Sequence, residues 1–200
     1  MTSAVIIDDT LPDRAIAFES ASTMGNFGLI GGLLNAGVQA SRKDRVNDAL
    51  DSVKYTPEAN FEKFLIEELA ASGITASVLE GPDRDKRKLL ENYPTAPVGA
   101  QAMIDVNVIS YGYVNAGNQL WRPFVSADVK MVEAGTGRKL MENRIIYNPI
   151  DAQNGVITIA PDPQYAFQNR EDMITQPERL AAGIDEALRQ VAASAVRLMK

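Results

Sequence analysis

The chain contains neither cysteine nor histidine. That excludes disulfides, thiol nucleophiles, Cys/His zinc sites and imidazole acid–base chemistry together. Carboxylates, hydroxyls, lysines and backbone groups are what remain. Aromatic residues make up 6% of the chain, with a single tryptophan. Basic residues are also short: 20 Lys and Arg against 26 Asp and Glu give a net charge of −6. An acidic chain lacks the basic face that neutralises phosphates, so no nucleic-acid partner is expected. The one dense basic run, Arg84, Lys86, Arg87 and Lys88, alternates with Asp83 and Asp85 and reads as a solvated face. A bilayer span is missing too. The apolar stretch from Phe27 to Val38 is about half of the ~20 residues required, so no transmembrane segment is expected. The start, MTSAVIIDDTLPD, has no basic lead and no apolar signal region.

Two hundred residues with 46% hydrophobic content suffice for one ordinary domain. Residues 1–24 read as an N-terminal strand region, 25–55 as a Gly-rich helical segment and 56–200 as an α+β core, all within a single domain. Ala4–Ile7 and Arg14–Phe18 are short strand-like runs. A helix is expected from about Gly28 to Val53, with a break near Ser41. In TPEANFEKFLIEELAASG, Thr56 suits an N-cap, Pro57 the first helical turn and Gly73 the C-cap. Phe61, Phe64, Leu65 and Leu69 form its apolar stripe. The strand ITASVLE follows. Residues 81–97 read as a connection with one helical turn near Lys86–Glu91. AMIDVNVISYGY, RPFVSADVKMVE and KLMENRIIYNP then alternate as an antiparallel meander, and GVITIA suits an edge strand. Thr175 and Glu178 have capping-box spacing ahead of a final helix with the stripe Leu180, Ile184, Leu188, Val191, Ala195 and Leu198. The expected fold is α+β: a mixed, largely antiparallel sheet of about five strands, two main helices on one face, and the Gly-rich N-terminal helical segment.

Residues 25–37, GNFGLIGGLLNAG, hold five glycines. No lysine follows as a P-loop demands, and the spacing Gly25, Gly28, Gly31, Gly32 is not the dinucleotide fingerprint. On a helix, Gly28, Gly32, Ala36 and Ala40 share one face of small side chains that lets another surface approach closely. That face serves either packing within the domain or assembly and membrane-surface contact.

SYGYVNAGNQLWRPF gathers Tyr111, Tyr113, Trp121 and Phe124 around the amides Asn115, Asn118 and Gln119. With Tyr165 from PDPQYAF, these form a candidate binding patch for glycan or peptide. The alternative is that the aromatics pack over the core. Carboxylates are plentiful, with Asp8, Asp9, Asp105, Asp128 and Asp151 available to a paired-carboxylate hydrolase. Asp105 and Asp128, at outward strand positions, are expected to be solvated rather than a catalytic pair. Neither cofactor nor metal is expected.

The segment SADVKMVEAGTGRKLMENRIIYNP, with its hairpin Glu133-Ala134-Gly135-Thr136-Gly137-Arg138 and the terminal amphipathic helix, resembles a class of bacterial cell-envelope lipoproteins. These are of the curli-secretion, penicillin-binding-protein-activator and ABC-transporter-auxiliary types. The resemblance covers residues 75–150 and the last helix. GLIGGLLNAGVQASR is also similar to segments of uncharacterised proteobacterial lipoproteins. The resemblance implies a non-enzymatic periplasmic accessory or assembly lipoprotein, anchored at the outer membrane. It would act through an envelope protein or self-association, and it supplies no catalytic residues. No lipobox cysteine is present, so the resemblance implies that the signal and lipid anchor lie ahead of Thr2. Two other classes compete: a soluble ligand- or glycan-binding module using the aromatic loop, and a carboxylate-dependent hydrolase.

Overall fold

The computed structural model describes residues 1–20, 40–82, 84, 87–117, 119–150 and 154–199, with backbone alone at Ser20 and 40–44. Their order is β1 (Ser3–Ile7), β2 (Ile16–Ser20), α1 (Ala40–Ser52), α2 (Pro57–Ala71), β3 (Thr75–Leu79), β4 (Ala102–Ala116) and β5 (Arg122–Glu133). After them come β6 (Lys139–Tyr147), β7 (Val156–Ile159), a 3-10 turn (Pro163–Tyr165), α3 (Arg170–Ile174) and α4 (Pro177–Arg197).

These strands form one seven-stranded sheet in the order β3-β1-β4-β5-β6-β7, with β2 also paired to β4. The expected antiparallel meander is β4-β5-β6. Around it β1, β2, β3 and β7 pair in parallel. Seven strands replace the five expected. The reason is the length of β4, which at about 3.3 Å per residue accommodates two short strands along one edge. β1 takes Ala102–Ile104 and β2 takes Gly112–Ala116. Between them the chain leaves the edge, held by one bond from Val108 N–H to Thr10 C=O at 2.8 Å. Gly112 makes this pairing feasible. Its φ is +138°, and a Cβ there would lie 2.1 Å from the Ile16 carbonyl oxygen.

All four helices contribute to one apolar cluster on one face of the sheet, joining residues from Ala4 to Met199. α2 and α4 are its main members. Phe61, Phe64, Leu65 and Leu69 of α2 meet Leu180, Ile184, Leu188 and Val191 of α4, all buried. Each such side chain contributes roughly 1.5–3 kcal/mol by leaving water. Two expected caps differ. Thr56 makes no side-chain cap bond. Thr175 ends α3, where its hydroxyl donates to the Glu171 carbonyl, and α4 begins instead with Gln176 as N-cap and Pro177 in its first turn. Gly73 closes α2 as expected, at φ +77°.

The opposite face of the sheet carries two smaller clusters. Val5, Ile7, Met103 and Val132 lie under Leu90, Tyr93, Ala96 and Ala100 of the connection after β3. Ile16, Val114 and Phe124 form the other, with Phe18, Ile146 and Ile150 against them. The connection overturns the solvated reading of the basic run at two positions. Arg84 and Asp105 form an ion pair of 2.7 Å whose side chains are 1% and 0% exposed. Asp105 also accepts from the Leu90 N–H at 2.7 Å and the Tyr93 hydroxyl at 3.0 Å. Arg87 bonds the Asp9 carboxylate at 2.8 Å and its carbonyl at 2.9 Å. Leu90 turns back through a carbonyl bond from Lys130. No helix forms among the described residues from 87 to 91.

Candidate functional site

The loop from β4 to β5 is braced by Asn115. Its side-chain amide donates to the Gln119 carbonyl and accepts the Gln119 N–H at 3.2 Å. This leaves the Gln119 side chain exposed at the rim. Directly after it, Trp121 and Phe167 exchange two backbone bonds of 2.9 Å each. That bridge seats PDPQYAF beside LWRPF, as anticipated. Phe167 packs on Tyr113 with ring centroids 5.5 Å apart, and Tyr113 donates its hydroxyl to the Tyr165 carbonyl at 3.2 Å.

A cleft of about 380 Å³ opens there, lined by Glu19, Asn115, Gln119, Trp121, Gln168, Asn169 and Arg170. Its Trp121 wall is 4% exposed: the side chain belongs to the main apolar cluster, and the Arg170 guanidinium lies 4.8 Å from the indole centroid. Asn169 caps α3 by accepting the Asp172 N–H, and Arg45 of α1 holds Glu171 of the same helix at 3.0 Å. The exposed donors and acceptors are therefore Gln119, Gln168, Asn169 and Glu19. Such a set pairs with amide or hydroxyl groups and supplies neither a nucleophile nor a strong acid.

The candidate patch is only partly assembled. Tyr111, Tyr113 and Phe124 are buried, so they pack the core and give no surface to a ligand. Burial also holds the Tyr111 and Tyr113 hydroxyls well above the usual tyrosine range. Phe124 belongs to the cluster on the opposite sheet face, since it pairs with Gly112 and alternates with its neighbours. Tyr165 is half-buried beside the bridge, and Asn118 lies outside the described residues. Of the small-residue face, Gly28, Gly32 and Ala36 also lie outside them, and Ala40 is the first residue of α1. The carboxylates expected in solvent are engaged: Asp105 with Arg84, and Asp128 with Arg144 through bonds of 2.6 and 2.8 Å.

A second, larger cleft of about 530 Å³ was not foreseen. It sits where the chain leaves β4 between β1 and β2, against the start of α2. Asp8, Asp9, Asp13, Glu58, Glu62 and Val78 are among its walls. Glu58 turns its carboxylate onto the Thr10 N–H at 2.6 Å, fixing the detour. The Glu62 carboxyl is pushed upward by burial, then by Glu58 and Asp8. In the sequence the available signal was Asp8-Asp9 at a strand end followed by Pro12, and only the fold brings Glu58 and Glu62 to it.

Comparison with known proteins adds neighbours of structure alone. No protein-family model matches the sequence, and no curated protein matches it. Among solved structures, similarity is found to protein XCC0632 from Xanthomonas campestris, of the DUF330 family, at 14% identity and a TM-score of 0.39. That match covers 68% of this chain and 56% of the other. Protein CT253 from Chlamydia trachomatis matches at 9% identity and a TM-score of 0.35, over 99% of this chain and 98% of its own. Lipoprotein GNA1162 from Neisseria meningitidis matches at 13% identity and a TM-score of 0.23, over 76% of this chain and 86% of its own. Among the described residues no helix is long and apolar enough to cross a membrane.

Proposed function

We propose that this is a non-enzymatic binding protein of the bacterial cell envelope, held there by a lipid anchor, which recognises an extended segment of a partner protein at the Trp121 cleft. The observation that carries the reading is the composition of that cleft. Gln119, Gln168 and Asn169 surround it, and among the described lining residues the one aromatic side chain, Trp121, is buried with Arg170 against its ring. Side-chain amides read a polypeptide backbone through paired donors and acceptors. Sugar hydroxyls can pair with the same amides, but the stacking on an open aromatic face that strengthens sugar binding is denied here, with Trp121 buried and Arg170 against its ring. The same geometry therefore favours peptide over glycan. Of the carboxylates open to the hydrolase reading, Asp105 and Asp128 each pair with an arginine, and Asp151 lies outside the described residues. The hairpin Glu133–Arg138 and the terminal helix support the envelope assignment through their resemblance to accessory lipoproteins.

The test uses a photo-crosslinking amino acid at Gln168 in the producing bacterium, with the same group at Lys63 on the exposed side of α2 as control. A discrete protein adduct at 168, absent at 63 and lost on Asn169→Ala with Gln119→Ala, is the expected result. Adducts of equal pattern at both positions, or binding of soluble glycan chains that these substitutions abolish, would overturn the reading.

A further inference from the structure

We propose that the outer edge of β3, with the acidic cleft beside it, docks an extended polypeptide segment in which apolar and basic side chains alternate. This surface is separate from the Trp121 cleft. β3 is Thr-Ala-Ser-Val-Leu, with no charge and no proline. It pairs with β1 on one side, and among the described residues no strand pairs with the other. Thr75 donates its N–H to Thr2, and the Leu79 carbonyl accepts from Asp8. Thr75, Ser77 and Leu79 thus turn their backbone groups towards β1. Alternation sends the N–H and C=O of Ala76 and Val78 outward. Protected edges carry lysine, proline, bulges or a cover, and this one carries none of the first three. Val78 is 38% exposed, one of few large hydrophobic side chains so placed. An added strand would satisfy the backbone groups of Ala76 and Val78 while covering the Val78 side chain.

Charge decides the occupant. The cleft that Val78 helps to line holds five carboxylates, Asp8, Asp9, Asp13, Glu58 and Glu62, alongside apolar and neutral residues and, among the described residues, no basic one. Arg87 pairs with Asp9, and Asp8 accepts from the Gly81 N–H. Glu62 lines the cleft with Glu58 and Asp8, and among the described residues it forms no ion pair. A second copy of this chain, paired through β3 across a two-fold axis, would bring a second set of these carboxylates towards the first. A partner strand with basic residues at alternate positions turns them to the face that Val78 shares with these carboxylates, its cations among them and its lysine stems over Val78. Its apolar residues go to the opposite face, beside Leu79.

The probe is a fluorescent peptide of alternating lysine and valine, titrated onto the full chain by anisotropy. The controls are the same peptide with glutamate for lysine, and one N-methylated at alternate residues, which lacks strand donors. The lysine peptide binds, weakens as salt rises, and outbinds both controls by about tenfold or more. Val78→Pro removes one outward N–H without touching the β1 ladder, and reduces binding about tenfold. Glu62→Gln reduces it severalfold. Should Val78→Pro unfold the chain, the N-methylated peptide alone tests the backbone pairing. Equal binding of the lysine and glutamate peptides, or of the methylated peptide, overturns the proposal. So does a dimer in sedimentation that Val78→Pro abolishes while the lysine peptide fails to bind, because the edge then belongs to a second copy.

Discussion

Asp105 shows how one residue's role depends on its cover. At an outward position of β4, it is fully enclosed by Arg84, Leu90 and Tyr93. Removing its charge leaves the Arg84 guanidinium buried without a counter-ion. Asp105→Asn is expected to cost about 3–5 kcal/mol, read as a lower urea midpoint. The double replacement Arg84→Met with Asp105→Leu should recover most of that loss, since a buried pair is often replaceable by apolar residues. Glu62 behaves in the opposite sense. Its carboxyl is raised above the ordinary 4.5. The folded state therefore holds a proton that the unfolded state has released, and stability falls as pH rises through and beyond that value. Glu62→Gln should raise the melting temperature at pH 7, and the gain should vanish below pH 4.5, where both states are protonated. A gain that persists in acid would show that the effect is not electrostatic.

Among the elements, α4 is the clearest case of pattern and packing agreeing. The stripe from Leu180 to Ala195 is buried as its spacing predicts. Gly183 within it, however, looks like a simple loss of helix propensity. Helix propensity makes Gly183→Ala stabilising by nearly 1 kcal/mol. The tertiary contact reverses this. A Cβ at Gly183 would lie 2.0 Å from the Tyr113 hydroxyl oxygen and 3.0 Å from the Tyr165 Cβ. The Tyr113 ring is buried and its hydroxyl is bonded to Tyr165, so it cannot retreat cheaply. Gly183→Ala is expected to destabilise by about 1–3 kcal/mol in denaturant unfolding. A rise in the midpoint would mean that the Tyr113–Tyr165 contact yields at little cost.

For the whole molecule, the phenols report the state of the core. Tyr55, Tyr93, Tyr111, Tyr113 and Tyr147 are all held above the ordinary value of 10.0, in every case first by burial. A raised folded-state value means that the native protein keeps protons the unfolded chain loses. Stability is thus lost as pH rises beyond about 10. Absorbance titration at 295 nm should show these tyrosines ionising together with the loss of circular dichroism. Free titration of all of them before unfolding would contradict their enclosure.

How much was legible follows from the range of the forces involved. Periodicity is local, and it located the meander, the α2 and α4 stripes, the Gly73 stop and the edge strand 156–159 from neighbouring residues alone. The aromatic loop was legible as a place, for Asn115, Gln119 and Trp121 do line a cleft. Its exposure was not. Whether Tyr113 packs or binds depends on Phe167 and Gly183, more than fifty residues away, and Arg170 decides the Trp121 face. Asp105 read as solvated because alternation gives a face but not what lies over it. Burial there depends on Arg84, Leu90 and Tyr93, from a stretch with no period of its own. Composition determined that this chain has no thiol and no imidazole to work with. The tertiary structure decided which carboxylates pair with arginine, which acids share a cleft, and which strand edge is unpaired among the described residues, because each depends on contacts between segments far apart in the chain.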